Sequence, residues 1–354
     1  MSHQELTNLP FDPLLDLEPW VGQRQASFRF DLTNRVTGER LGQVTPLRDA
    51  TLSHDTNRTI KRKLDISLGL ADTAAINSIT DLISVYMVFP NGAEYPLGRY
   101  MFTDESRTVT TAGRLGNVVL NDEMFLVDQQ ITKPISGPGS SANFLLQNVL
   151  SGLPITYSVA ESPFSIAGSW SIGANRGQIL EALAVQGDYF SPWFDNNGVL
   201  RFIRTFDPSD RVPDFDWDHS KNVMRSSIIE TSDLLTAPNR FVVISNDADD
   251  PSTAVVATAD IPATAPHSIA NRGFVIAHVE DLQLSDSNQA NAVVNGIVNR
   301  MTVFERVGIT TAPDPRHDSY NVIRWQETNW LELAWTMPLV EGRPMSHLLR
   351  KAYS

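Results

Sequence analysis

The sequence predicts a mainly β protein that carries a small α+β insert, and three observations lead there. Short runs with apolar residues at every second position recur through residues 1–135 and again from 207 onward, which is the signature of half-buried antiparallel strands in a sandwich or barrel. The runs are separated by turn signals such as Asn91-Gly92 and Asn197-Gly198, where glycine supplies a positive φ. Between the two β regions, residues 136–206 switch to helical spacing.

The first β-unit follows a Pro-containing leader. "ASFRFDLT" puts Phe28 and Phe30 on one face, and "RVTGERLG" is a turn around Gly38. In "TIKRKLDISLGL", Ile60, Leu64, Ile66 and Leu68 are expected inward, against Lys61, Lys63, Asp65 and Ser67 outward. "LISVYMVF", "PNGAE" and "YPLGRYMFTD" make a hairpin, and "RTVTTAGRLGNVVLNDEMFLVDQQ" adds two more strand-like runs.

The insert opens at "TKPISGPGSSANFLL", where Ser140 or Ser141 caps a helix carrying Leu145, Leu146, Val149 and Leu150, stopped at Gly152. "PITYSVA" is a strand. A second helix, "NRGQILEALAVQGDY", aligns Ile179, Leu180, Leu183 and Ala184. It feeds "WFDNNGVLRFIR" (193–204), a hairpin that could grip a substrate, read a carbohydrate or simply build the insert. After the polar bridge "DPSDRVPDFDWDHSK", the second β-unit, 207–354, holds the strand "NRFVVISND" and the helix "SDSNQANAVVNGIVNRM". That helix shows an Asp286/Gln289 capping box and an apolar face of Ala290, Val293, Val294, Ile297, Val298 and Met301. "PDPRHDSYNVIRWQ" and "NWLELAWTMPL" close the chain as strands.

Composition narrows the function. The 354 residues are 42% hydrophobic and only 19% charged, with a net charge of −13. A chain this acidic lacks the clustered Lys and Arg that release counterions from phosphates, and it lacks a polybasic membrane patch. With no cysteine there is no disulfide, thiolate nucleophile or Cys-ligated metal. No secretory signal pattern and no long apolar run is present, so a soluble protein without a membrane anchor is expected. The sequon Asn57-Arg58-Thr59 reads as chance.

Candidate chemistry is thin. "GSWSIG" (168–173) lacks the spacing of a nucleophile elbow, and "GPGSSA" lacks the lysine of a phosphate loop. Asp214, Asp216, Asp218 and His219 could hold Ca²⁺ on one strand face, but they miss the Gly-containing loop and distal Glu of a calcium loop, so a solvated acidic turn is the better reading. "DADD" (247–250) reads as a hairpin loop. Asp314, Arg316, His317 and Asp318 could form an acid/base group, although the flanking prolines favour a turn. Glu181, Asp188, Asp195 and Glu230 could furnish a glycosidase carboxylate pair. Trp170, Trp193, Trp325, Trp330 and Trp335 could stack on sugars or simply pack. A carbohydrate-active, cell-wall-degrading or sugar-binding protein is therefore the rival functional class.

The order of these pieces resembles something specific. "TIKRKLDISL", "EYPLGRYMFTD", "ILEALAVQGDYFSPWFDNNGVLRF" and "ERVGITTAPDPRHDSYNVI", spread over residues 25–354, resemble the baseplate hub proteins of tailed bacteriophages, including the tail-associated or minor tail proteins of actinobacterial siphophages. The resemblance implies two tail-tube-like antiparallel β-barrels (1–135 with the leader, and 207–354) and a small bracing α+β domain (136–206). It implies a homotrimer whose six barrels form a ring beneath the tail tube, in contact with the distal tail protein, the tape measure protein and other tail-tip proteins. DNA would pass through without specific binding. The resemblance brings no catalytic residue, no cofactor-binding residue and no metal ligand. It places the chain in the virion at the tail tip, made in the host cytoplasm, as a hub without an appended lytic domain. Eleven acids against four bases between Asp207 and Asp260 then suit either a solvated loop face or, if the chain rings a DNA path, a negative channel wall that repels phosphate.

Overall fold

The computed structural model describes residues 26–48, 50–69, 76–110, 113–137, 140–166, 168–217, 223–231, 237–245, 254–282, 284, 287–301 and 305–351. The protein is mainly antiparallel β with a small α+β insert. One sheet of thirteen strands runs through both β-units. From one end it passes through Val223–Thr231, Arg306–Thr311, Met345–Lys351 and Thr328–Pro338. It then crosses to Thr51–Asp55, Arg62–Leu68, Gly113–Asp122, Glu94–Thr110, Asp81–Val88, Ser27–Asn34 and Arg40–Gln43.

The units meet edge to edge where Thr328–Pro338 pairs antiparallel with Thr51–Asp55, in the register Trp335↔His54 and Met337↔Leu52. The core follows the sheet across this seam. Leu52, Leu64, Leu68, Leu120 and Tyr100 cluster with Trp335, Met337 and Met345 from the far end of the chain. Alternation explains the strands locally: Arg62–Leu68 buries every second residue. Gly92, at φ +84, turns the hairpin between Asp81–Val88 and Glu94–Thr110.

The insert packs helices Ala142–Leu150 and Arg176–Gln186 against a sheet of Thr156–Val159, Val199–Phe202 and Trp193–Phe194. The first helix begins immediately after Ser141, and Leu146, Val149 and Leu150 are buried. Ile179, Leu180, Leu183 and Ala184 of the second are all at most 2% exposed. Asn175 caps that helix by accepting a hydrogen bond from the Gln178 amide.

The strand read at "NRFVVISND" lies outside the large sheet. Arg240–Ser245 is the centre of a separate three-stranded sheet, antiparallel to Val255–Asp260 and parallel to Ala277–Asp281. Helix Ser287–Met301 covers it with Ala290, Val293, Val294, Ile297 and Val298, which pack on Phe241 and Val243. An apolar stripe that broad needs a sheet face of its own. Asp286 of the expected capping box lies outside the described residues.

Candidate functional site

The hairpin at residue 193 ends at the junction of the insert and both β-units. Its turn is fixed from within. Asp195 Oδ1 accepts from the amides of Asn197 and Val199, both at 2.9 Å, and Asp195 Oδ2 accepts from Arg201 Nε at 2.7 Å. Gly198 sits at φ +75, and a Cβ there would lie 2.8 Å from Arg99 Cδ of the first β-unit. Conformation thus favours glycine, and a larger residue would also have to push the Arg99 side chain aside.

Above this turn three segments converge on Arg62 and Asp318. Arg62, 1% exposed, donates through Nη1 to Asn196 Oδ1 (2.6 Å) and through Nη2 to Asp318 Oδ1. Trp193 Nε1 donates to the same Asp318 oxygen at 2.9 Å. Asn196 Nδ2 donates to the carbonyls of Pro315 and His317. Trp335 Nε1 donates to the Asp318 carbonyl, and the Arg62 guanidinium lies over the Trp335 ring. The first β-unit, the insert hairpin and the loop 313–320 of the second unit are therefore joined by one polar network. Burial pushes the Asp318 carboxyl up, and the Arg62 charge pulls it back.

Lys61 extends the junction. It was expected to point outward, but it is 2% exposed because the insert covers that side of the strand. Its Nζ donates to Ser191 Oγ (2.5 Å) and the Arg58 carbonyl, and Ser191 Oγ donates to Glu181. Burial lowers the Lys61 pKa. Asp122 accepts from the Arg62 and Met124 amides, and burial pushes its carboxyl up to about 6. A cleft of about 210 Å³ opens beside Glu181 and Ser191, reaching Asn57, Glu280 and Arg350.

Behind the loop lies a second cluster. His317 Nδ1 and His347 Nδ1 face the two oxygens of Glu332 at 2.8 and 2.6 Å. All three side chains are at most 2% exposed. Thr311 Oγ1 meets His347 Nε2 at 2.8 Å, and Phe215 stacks on His317 with centroids 4.1 Å apart. Burial lowers the His317 pKa to about 4 and raises that of Glu332. Among the described residues this is the group whose donor atoms could converge on a metal ion.

The other sequence candidates are engaged one by one. Asp214 accepts from the Val322 amide, Asp216 is exposed, and Asp218, His219 and residues 247–250 lie outside the described residues. Asp314 holds Arg316 through both oxygens, so "PDPRHD" is a turn whose side chains point into the molecule. Asp188 binds Arg204 and Thr205, and Asp195 binds Arg201. Glu181 accepts from Ser191, and nothing is described of the Glu230 side chain. Trp193, Trp325, Trp330 and Trp335 are buried, leaving only Trp170 half-exposed, so their faces are not offered to a sugar. Ser169–Trp170 pairs with Ile135–Ser136.

The periodicity reading missed Arg62, Glu332 and His347. Arg62 shares the inward parity of its strand with Leu64, and His347 with Met345 and Leu349, whereas residues 330–333 are all buried beside a register shift, so alternation carries no signal for Glu332. For Arg62 and His347 that parity was the available signal.

No protein-family model and no curated protein matches the sequence. Solved structures do match the fold. A tail protein from Neisseria meningitidis MC58 aligns with TM-score 0.63 at 12% identity over 93% of this chain and 97% of its own. The 43 kDa tail protein of prophage MuSo2 from Shewanella oneidensis gives 0.59 at 11% identity over 91% and 98%. Prophage tail protein gp18 from Listeria monocytogenes EGD-e gives 0.59 at 8% identity over 91% and 94%. The chain has the fold of phage tail proteins.

Proposed function

We propose that the protein is a structural hub of a phage tail tip, without enzymatic activity of its own. In this reading three copies form a ring that adapts threefold to sixfold symmetry beneath the tail tube and surrounds the DNA exit channel. One observation carries it. Two β-units share a single sheet and are clamped by an insert at a buried polar junction, in a chain that phage tail proteins match nearly end to end. Such a clamp makes a rigid subunit suited to a load-bearing ring. The ends of the sheet support association: Arg40–Gln43 forms an edge with all four residues exposed, and exposed edges are stabilised by pairing or covering. A charged fraction of only 19% fits a surface largely given to contacts.

The partners are the neighbours of that ring, namely the distal tail protein, the tape measure protein and the rest of the tip, with DNA passing unbound. Exposed Asp210 and Asp216 suit a channel wall of the same sign as DNA. Immunogold labelling of intact virions tests the location. Gold at the end of the tail supports the reading, and gold on the head or along the tube overturns it.

A further inference from the structure

We propose that His317, Glu332 and His347 form a site for a divalent transition-metal ion of the Zn²⁺ type, which ties the loop 313–320 to the last two strands. The donor set is two imidazole nitrogens and one carboxylate oxygen, the combination zinc favours. The three donors come from separate elements, and their atoms lie within 4.8 Å of one another in the interior. A strand irregularity lies beside them, since the register between Thr328–Pro338 and Met345–Lys351 shifts between Glu332 and Ala334. Such shifts re-aim side chains and are frequent next to functional sites.

Charge makes the stronger case. Glu332 is 1% exposed, and among the described residues its ion-pair partners are these two histidines alone. Burying a carboxylate is costly unless it takes up a proton or meets a positive charge, and a divalent ion bound between these donors supplies that charge. The hydrogen inventory agrees. The Thr311 hydroxyl reaches the Ala312 carbonyl at 2.9 Å and His347 Nε2 at 2.8 Å. With its single proton on the carbonyl, Nε2 of His347 donates to Thr311 and Nδ1 turns a lone pair toward Glu332. That is the tautomer of a metal ligand, and Thr311 acts as its orienting partner. Donors about 2.0–2.2 Å from zinc stand roughly 3.4 Å apart, so binding would spread the present 2.6 and 2.8 Å contacts by about 0.6–0.8 Å. The incoming ion displaces the proton that otherwise occupies the His347–Glu332 contact, and that proton leaves to solvent.

The test uses the full chain dialysed against Zn²⁺ and then against metal-free buffer, with bound metal counted by mass spectrometry and melting followed by circular dichroism. About one zinc per chain, a lower melting temperature after chelation, and zinc binding weakened in His317→Gln by more than the roughly 10–100-fold that loss of an outer-shell partner costs are expected. His317 lies on a loop, so this variant is chosen to preserve the strands; Co²⁺ loaded into the unaltered chain gives a second readout through its visible absorption. A folded chain that retains no zinc and shows no cobalt spectrum overturns the proposal, leaving a proton as the only cation. Zinc held equally well by His317→Gln overturns it too.

Discussion

Arg62 and Asp318, 256 positions apart in sequence, form an ion pair at the point where the two β-units and the insert meet. The arginine is almost wholly buried and the aspartate partly so. Trp193 and Asn196 of the insert share their hydrogen bonds. Such a pair is weak evidence for net stability, because desolvation offsets much of the attraction. Its geometry joins all three parts: the hydrogen bonds of the Arg62 guanidinium and the Asp318 carboxylate link the first β-unit, the insert and the loop 313–320.

Removing one partner therefore costs more than the pair contributes. Arg62→Ala leaves Asp318 and Asn196 short of a donor, and denaturant unfolding should show a loss of about 3–5 kcal/mol. Arg62→Lys should recover little, since one ammonium lacks the planar fork that reaches Asn196 and Asp318 together. Full rescue by lysine would show that charge alone matters at this position.

Gly198→Ala should destabilise the protein by about 1–3 kcal/mol, from the strain of φ +75 and the approach to Arg99. Gly173→Ala is the control, because its φ of +91 is similarly unfavourable while nothing lies within 4 Å. A smaller loss at Gly198 than at Gly173 would contradict the close packing of the hairpin on the first β-unit.

Asp122 gives the pH dependence. Its carboxyl is raised from 3.8 to about 6, chiefly by burial, so the folded chain holds that proton more tightly than the unfolded one. Its favourable contribution is complete below the unfolded value and is lost as pH rises through about 6. Relative to Asp122→Asn, the unaltered protein should lose stability across this window by up to about 1.4 kcal/mol per pH unit. Parallel stability curves for the two proteins would contradict the assignment.

What was legible in the sequence follows from what periodicity counts. The faces of helices Arg176–Gln186 and Ser287–Met301 and the turns at Gly92 and Gly198 rest on local patterns of apolar residues and glycine, and they appear as expected. The junction does not, because a polar residue on the inward phase, such as Arg62, is passed over when only apolar positions are scored, and Glu332 is turned inward by a register shift that breaks the alternation. Lys61 occupies the outward phase of its strand and is buried by a segment about 130 residues away, which no local pattern carries. The same holds for the Trp335↔His54 pairing that fuses the two β-units. "PDPRHD" was legible as a turn, while its partners Glu332 and Arg62 belong to other strands.

The proposed channel wall can be tested by charge reversal. Asp210→Lys and Asp216→Lys alter exposed side chains and should leave particle assembly intact while impairing DNA delivery, because a basic wall holds phosphate. The defect should weaken with added salt, which screens such contacts beyond about 8–10 Å. Reversed particles that deliver DNA normally would remove the channel from the account.

The most direct measurement is an electron cryo-microscopy reconstruction of the virion tail tip without imposed symmetry. The account predicts three copies of this chain about the tail axis, their six β-units forming a ring with acidic side chains toward the lumen. A single copy, a twofold pair or a lumen lined mainly by Lys and Arg would contradict it.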